Sequence, residues 1–438
     1  MPIVVGRLYL ADGGGPASLS VATSRSKAPF MTQLDLDFVR AQFPAFAQPH
    51  LQGKAFFENA GGSYPCIQVI NRLERFYRQR KVQPYAPYEI SEIAGAEMDE
   101  ARTRLAAIMG VAADELSFGP STSANSFVLA QAFREWLEPG DAIIVTNQDH
   151  EANSGVWRRL AKAGIEVREW KIDPETGHLP LVGLAALLDE GVKLVCFPHC
   201  SNVVAEINPV AEIVAMAHSV GAVTCVDGVS YAPHGLPDVA ALGTDIYLFS
   251  AYKTFGPHQG IMVIRRGLGM ALPNQGHYFN GDTLYKRFTP AGPDHAQIAA
   301  SAGMADYLEA LHAHHFGGTA TPLEQGRAVH DLLRAQEVAV FQPLLDYLAA
   351  RNDLRLIGPR RAEARAPTVA VMLDREAEPV ARALAAHGIN CGGGDFYAVR
   401  PLGAMGVDLG RGVLRMSGVH YTSAAEIGQL IKALDQVL

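Results

Sequence analysis

Residues 222–260, AVTCVDGVSYAPHGLPDVAALGTDIYLFSAYKTFGPHQG, contain the stretch that decides the fold. Two apolar runs rich in β-branched residues, 222–226 and 245–249, predict two strands. The carboxylate of Asp227 closes the first run, and the amine of Lys253 follows the second. Because neighbouring strands of an α/β sheet end at one edge, where ligands bind, the stretch predicts a ligand crevice that holds both groups.

Lys253 is held on a short turn between Ser250 and the Gly256-Pro257 pair. An amine buried there has a lowered pKa and becomes a nucleophile toward an aldehyde. Pyridoxal phosphate (PLP) needs such an amine together with an acid at its pyridine nitrogen, and Lys253 and Asp227 supply both. Each residue alone is more typical of a solvated loop charge or a turn cap. The joint placement of the two therefore carries the prediction.

The stretch resembles the class V aminotransferase family, in its cysteine desulfurase-like branch of fold type I PLP enzymes. The matching motifs are Asp227-Gly228, Ser250-Ala251-Tyr252-Lys253 and Gly256-Pro257, and the likeness runs from about Phe56 to the C-terminus. It implies an α/β fold, the PLP-dependent transferase fold type I. We therefore expect a mainly parallel seven-stranded sheet in a large domain, residues 56–299. Residues 31–55 and 300–438 would form a smaller α+β domain, and residues 1–30 a mobile tail.

Composition excludes several function classes. The chain has 438 residues, 48% apolar and 19% charged, and a net charge of −8, which argues against a nucleic-acid partner. No apolar run is long enough to span a membrane. The five cysteines show no metal-ligand spacing, so we expect no metal and a cytoplasmic protein with reduced thiols.

Hydroxyl residues at the start of a predicted helix, Ser121, Thr122 and Ser123, are good N-caps, and a helix N-terminus also holds phosphate. The resemblance implies that these residues and Ser250 bind the PLP phosphate, which Tyr252 could also reach. It places the ring of His150 against the pyridine and Asn202 near the cofactor oxygen. Ser230 stands where desulfurases usually have Gln, and His234 is a candidate substitute.

An Arg on a strand is commonly a surface ion-pair partner. The resemblance instead implies that Arg415 forks onto the substrate α-carboxylate, a task that suits a planar guanidinium. Asn202, Gly61 and Tyr397 are the further substrate-binding candidates. The residues proposed as pocket walls are Tyr88, Tyr231, Phe279 and Tyr397.

The resemblance also implies a homodimer in which the segment 287–295 crosses to the partner subunit's phosphate. Gly292 occupies the position of the usual Thr or Ser in this segment, so Thr289 or His295 would have to supply the contact. The expected partners are therefore a second copy of the chain and a small amino-acid substrate, with no nucleic acid and no membrane.

Desulfurases carry a nucleophilic Cys on a C-terminal loop, because a thiolate must attack the substrate sulfur. Aligned through Gly388-Ile389 and Gly394, that place is Tyr397, and Cys391 lies earlier at a predicted strand end. A Lys253 Schiff base with Asp227 and His150 but without this thiol predicts a C–S lyase that works by β-elimination. A class V aminotransferase or epimerase is the alternative, and a catalytically silent PLP-fold sensor or partner protein is a further one.

Overall fold

The computed structural model describes residues 32–290 and 292–438. The predicted tail, residues 1–30, lies outside this part of the chain. The strands, in chain order, are β1 (Ala55–Phe56), β2 (Leu116–Gly119), β3 (Ala142–Thr146), β4 (Glu166–Trp170), β5 (Val192–Pro198), β6 (Val223–Asp227), β7 (Ile246–Ser250), β8 (Gly260–Ile264), β9 (Arg355–Ile357), β10 (Thr368–Met372), β11 (Ile389–Asn390), β12 (Gly392–Gly394) and β13 (Val413–Ser417).

Helices precede, connect and follow these strands. They are α1 (Leu36–Ala41), α2 (Ile67–Gln79), α3 (Glu89–Ile108), α4 (Thr122–Trp136), α5 (Glu151–Arg158), α6 (Leu181–Ala185), α7 (Val210–His218), α8 (Val239–Leu242), α9 (Arg266–Ala271), α10 (Leu284–Arg287), α11 (His295–His315), α12 (Pro322–Ala349), α13 (Ala377–Ala386), α14 (Val399–Ala404) and α15 (Ala424–Val437).

A seven-stranded sheet in the order β2-β8-β7-β6-β5-β3-β4 forms the centre of the fold. The pairs from β7 to β4 are parallel, whereas β8 runs antiparallel to both β7 and β2. The expected mainly parallel seven-stranded sheet of an α/β fold is therefore confirmed. Both predicted strands of the deciding stretch, β6 and β7, lie side by side in parallel at its centre.

Alternate residues of each central strand pack on opposite faces of this sheet, as the period-two geometry of a strand requires. One face, with Ile143 and Leu248, packs against Phe133 of α4 and Trp157 of α5. The opposite face packs against α3, α7 and α11, through side chains such as Leu105, Ile213 and Leu308. Helices on both faces explain why the central strands are continuous apolar runs rather than alternating ones.

A second, antiparallel sheet has the order β12-β13-β10-β9, and the short strands β1 and β11 pair in parallel beside it. A separate apolar cluster supports it, built from α12, α13, α15 and these strands. Residues 33–438 nevertheless form one compact unit. The boundaries of the large and small domains therefore stay a prediction.

No helix in the described part of the chain is long and apolar enough to cross a membrane.

Candidate functional site

The carboxyl ends of β6 and β7 deliver Asp227 and Lys253 to one inner cavity of 270 Å³. Lys253 ends a short 3₁₀ turn directly after β7, as the sequence predicted. It also borders a second, outer cavity of 590 Å³, so its amine lies where the two cavities meet. This arrangement is a crevice at the carboxyl edge of a parallel sheet.

Burial shifts the ionisation of both groups. Burial and, to a smaller extent, the positive charge of Arg415 lower the pKa of Lys253 to about 8, against the opposing effects of Asp227 and Glu58. Burial raises the pKa of Asp227 to about 6, while a hydrogen bond from the Val229 N–H to Oδ1, 2.8 Å long, acts in the opposite direction. At neutral pH a usable fraction of the amine is thus neutral and most of the carboxyl is ionised.

A second buried carboxyl lies beside Asp227. Asp149 accepts hydrogen bonds from the Thr146 hydroxyl at 2.8 Å and from Asn153 Nδ2 at 3.0 Å. Burial and the charge of Asp227 raise its pKa well above the ordinary value. Sequence reasoning missed it, although it directly precedes His150.

His150 is the N-cap of α5, and its Nδ1 accepts a hydrogen bond from the Ala152 N–H at 3.1 Å. Burial and the positive charges of Lys253 and Arg415 lower its pKa to about 4. The ring is therefore neutral at pH 7. Because Nδ1 is an acceptor, the proton lies on Nε2.

The first turn of α4 forms the polar end of the inner cavity, with Ser121, Thr122 and Ser123 in its lining. Ser121 caps the helix through a 3.1 Å bond from the Ala124 N–H, and the Thr122 and Ser250 hydroxyls lie 2.8 Å apart. Among the described residues, the N–H groups of Thr122 and Ser123 have no acceptor. Free N–H groups at a helix N-terminus are an anion site.

The start of β8 closes this end of the cavity from behind. A Cβ at Gly260 would lie 2.4 Å from the backbone carbon of Ser121 and 2.5 Å from the Thr122 nitrogen. Only glycine allows the strand to approach the helix this closely, because any side chain would force the two apart.

Arg415 and Asn202 border the outer cavity. The Arg415 guanidinium donates to Glu58 Oε1 at 2.6 Å and to the Asn202 carbonyl at 3.3 Å, and it lies 3.8 Å from the centre of the Phe396 ring. Arg415 Nε and Asn202 Oδ1 are buried and have no partner in the described part of the chain. They are free to bind a ligand.

The loop 395–398 closes over these two residues. The carbonyl of Phe396 accepts from Asn202 Nδ2 at 2.9 Å, and the carbonyl of Tyr397 accepts from the Glu151 N–H at 3.0 Å. Phe396 and Tyr397 both have positive φ, 53° and 56°, a conformation that costs free energy in residues other than glycine. The contacts with Asn202 and Glu151 offset that cost.

The structure brings most of the predicted site residues together. The inner cavity is lined by Ser121, Thr122, Ser123, His150, Asn202, Asp227, Ser230, Ser250, Tyr252 and Lys253. Gly61, Tyr397 and Arg415 line the outer cavity.

Four expectations were wrong. His234 is not a substitute at the cofactor oxygen, because it is buried against Glu337, 2.9 Å from Oε1, and lines neither cavity. Tyr231 stacks on His199 with ring centres 3.6 Å apart, and so is not a pocket wall. Phe279 lines a different cavity, which Thr289, Gly292 and His295 also border, and Tyr88 lines neither of the two that meet at Lys253.

Comparison with known proteins agrees with this geometry. Residues 55–430 match the family model described as aminotransferase class-V. The chain belongs to the class V aminotransferase family. The resemblance predicted from the Asp227 and Lys253 motifs is thereby confirmed.

Relatives within and near this family match almost the whole chain. An aminotransferase-like protein of Gibberella zeae is 31% identical over 428 residues, covering 93% of this chain and 99% of its own. A cysteine desulfurase of Pectobacterium carotovorum is 29% identical over 420 residues, covering 92% and 98%. Among solved structures, a cysteine desulfurase from Thermococcus onnurineus aligns with a TM-score of 0.79 at 23% identity, covering 91% of this chain and 97% of that one. At 23% identity, the likeness to the Thermococcus onnurineus structure shows a shared fold.

Proposed function

We propose that this protein is a PLP-dependent enzyme that acts on an amino acid and eliminates its β-substituent, as a cysteine desulfurase-like C–S lyase. The observation that carries the proposal is the pairing of a buried, low-pKa amine, Lys253, with the carboxylate of Asp227 in a cavity that ends at a helix N-terminus. Membership of a family known for PLP enzymes supports it.

The cavity has the donors and acceptors that PLP requires. The free N–H groups of Thr122 and Ser123 and the hydroxyls of Ser121, Thr122 and Ser250 suit a phosphate. Asp227 suits the pyridine nitrogen, and the unpartnered Oδ1 of Asn202 can accept a bond from a ring substituent or the substrate. Lys253 is the amine that would attach the cofactor. The residues present therefore fit the group.

When bound, PLP supplies an electron sink for the bonds at the substrate α-carbon. Asp227 keeps the proton on the pyridine nitrogen, because an ionised carboxylate stabilises the cation beside it. The neutral His150 ring covers one face of the inner cavity. Arg415 would orient the amino acid by its carboxylate, and Lys253 Nζ would take the proton from the α-carbon and give it to the β-sulfur, which leaves as a thiol.

Neither candidate thiol suits desulfuration. Cys391 borders neither cavity, and burial raises its pKa to about 12. Cys200 lines the inner cavity, but its Sγ donates to the Ala205 carbonyl at 3.2 Å and burial raises its pKa to about 12 as well. A thiol that stays protonated cannot attack sulfur. This absence of a thiolate favours elimination over persulfide formation.

The deciding experiment titrates the PLP-loaded protein with cysteine, cysteine conjugates, alanine and glutamate while pyruvate, ammonia, alanine and sulfide are assayed. Equal pyruvate and ammonia from a sulfur amino acid are the expected result. Sulfide matched by alanine would overturn the proposal in favour of a desulfurase. A cofactor spectrum that no amino acid changes would make the protein a silent sensor or partner.

A class V aminotransferase is the second candidate, because the Gibberella zeae relative is described as aminotransferase-like. Release of a keto acid with conversion of the cofactor to its amine form would establish it in the same titration. Racemisation of the amino acid without other products would indicate an epimerase.

We further propose that the protein is a cytoplasmic homodimer. Tyr278 is 91% exposed and Phe279 69% exposed, and both lie next to the cavity that contains Gly292. Exposed neighbouring aromatic side chains are typical of interaction surfaces. A molar mass in solution of about twice 47.0 kDa is expected by light scattering, and a single-chain mass would contradict the dimer.

A further inference from the structure

The outer cavity is larger than the proposed reaction with a short amino acid requires. It measures 590 Å³, against 270 Å³ for the inner cavity that holds Asp227 and the helix N-terminus. Drug-sized ligands occupy cavities of about 300–1,000 Å³. A substrate the size of cysteine would leave most of the outer cavity filled with water.

Part of the wall of the outer cavity is apolar. Ala152, Gly155 and Val156 of α5 line this part. Two aromatic side chains face the same space although solvent reaches them: Phe127 is 47% exposed and Tyr397 is 72% exposed. Exposed aromatic side chains in a concave site are surfaces for a ligand to cover.

Most of the charges around the outer cavity are already neutralised. Glu58 pairs with Arg415, and Glu151 pairs with Arg400 at 3.0 Å. Arg159, by contrast, is an exposed lining residue with no carboxylate partner in the described part of the chain, and its guanidinium lies 4.9 Å from the centre of the Phe127 ring. Stacking of this kind holds the side chain in place and leaves its N–H groups free for an anion.

We propose that the outer cavity binds a long amino-acid side chain and that Arg159 receives an acidic group at its far end. The substrate class is then an amino acid with an extended, partly apolar side chain that ends in a carboxylate. The inference rests on the proposed function in one respect, the placement of the α-carboxylate at Arg415.

Unreactive dicarboxylates test the subsite without any turnover. Straight-chain diacids from glutarate to sebacate are titrated calorimetrically into the PLP-loaded protein, each beside the monoacid of the same length. Affinity should pass through an optimum in chain length, at which the diacid binds at least about tenfold more tightly than its monoacid, roughly the effect of one charged hydrogen bond. An affinity that does not depend on chain length would overturn the subsite.

Arg159→Ala should remove the optimum of diacid affinity with chain length. Arg159→Lys should keep part of that optimum, because it keeps the positive charge. Arg134→Ala is the matched control, because Arg134 is an exposed arginine on α4 that lines neither cavity. An equal loss in the Arg134 variant would mean that overall charge, rather than the subsite, attracts the diacids.

Reactive pairs then separate the two proposals. S-(3-carboxypropyl)cysteine and S-butylcysteine differ in the terminal acid, and Arg159→Ala should lower kcat/KM at least about tenfold for the first and less than about twofold for the second. Equal effects on the two would overturn the subsite. If diacids bind with the optimum but neither cysteine conjugate changes the cofactor spectrum, the subsite stands and the lyase proposal fails.

Discussion

Lys253 is the residue on which the proposed chemistry depends. Its pKa is lowered to about 8 by burial and by Arg415, so neutral amine is abundant well below the ordinary lysine value of 10.5. The rate at which PLP attaches to the apoprotein should therefore rise with pH and level off above about pH 8. Stopped-flow absorbance of the forming visible band across pH 6.5–10.5 measures this, and a midpoint near 10 would contradict it.

Lys253→Ala should abolish the visible absorbance of the loaded protein and lower kcat by about 10²–10⁴, the usual contribution of a general acid or base. Lys193→Ala is the control, because Lys193 lies at the start of β5 with its Nζ bonded to the Glu190 carbonyl, and it should change neither the visible absorbance nor kcat. Retention of the visible band in the Lys253 variant would disprove the assignment of this amine.

Cys391 and Tyr397 provide the residue-scale test of the reaction. Cys391→Ser should leave the rate of pyruvate formation within about twofold of wild type, because burial keeps the Cys391 thiol protonated. Tyr397→Phe keeps the aromatic surface in the outer cavity and serves as the companion variant. A Cys391 variant that loses sulfide release while the Tyr397 variant keeps it would restore the desulfurase interpretation.

At the scale of elements, α4 combines a structural cap with a proposed phosphate site. Ser121→Ala removes the N-cap hydroxyl and should lower the free energy of unfolding by about 1 kcal/mol. The same change should weaken PLP binding, because the capping hydroxyl also lies in the cavity. Chemical denaturation and fluorescence titration of the apoprotein with PLP measure the two effects.

Ser423→Ala separates these effects, since Ser423 is the N-cap of α15 in a capping box and borders neither cavity. The Ser423 variant should lose about the same free energy of unfolding as Ser121→Ala and keep the PLP affinity of the wild type. Equal PLP affinity in both variants would remove α4 from the proposed cofactor site.

Buried histidines make the stability of the whole molecule depend on pH. Burial lowers the pKa of His199 and of His420 to about 3. Between pH 6.5 and 3 the unfolded chain therefore binds protons that the folded chain does not. The free energy of unfolding should fall with decreasing pH by up to about 1.4 kcal/mol per unit for each histidine.

Asp227 and Asp149 act in the opposite direction, because their folded pKa values are raised. Their contribution to stability is complete below about pH 3.8 and is lost as pH rises through their folded pKa values. The slope of the wild type is therefore a sum of opposing contributions, and comparison with a histidine variant isolates the histidine part. His420→Gln should flatten the slope in urea denaturation, and His50→Gln, at an exposed position, should not. Parallel slopes for all three proteins would contradict the assignment.

The fold could be predicted because local pattern and overall architecture agree. The apolar runs that became β3, β6 and β7 are continuous, as strands covered on both faces must be, and polar residues mark their carboxyl ends. Because β6 and β7 are parallel neighbours, their carboxyl ends lie at the same edge of the sheet, and this alone places Asp227 beside Lys253. The roles assigned to the site residues stay predictions.

The remaining features depend on pairings that no local pattern encodes. Glu58 meets Arg415 across 357 positions of sequence, and His234 meets Glu337 across 103. The first contact takes one guanidinium nitrogen of the predicted carboxylate anchor and leaves Nε without a partner in the described residues, and the second removes a predicted cofactor contact. Only the assembled molecule shows which charges near the site are already neutralised.

The close approach of Gly260 to the first turn of α4 has a consequence for synthesis. The turn is translated early, but the strand that backs it, β8, leaves the ribosome only after β3 to β7. At roughly 5–20 residues per second the wait is on the order of ten seconds. During that interval the nascent chain has helix α4 but no closed cavity behind it. Ribosome-bound chains arrested before residue 264 should therefore fail to retain a ligand that the released protein holds.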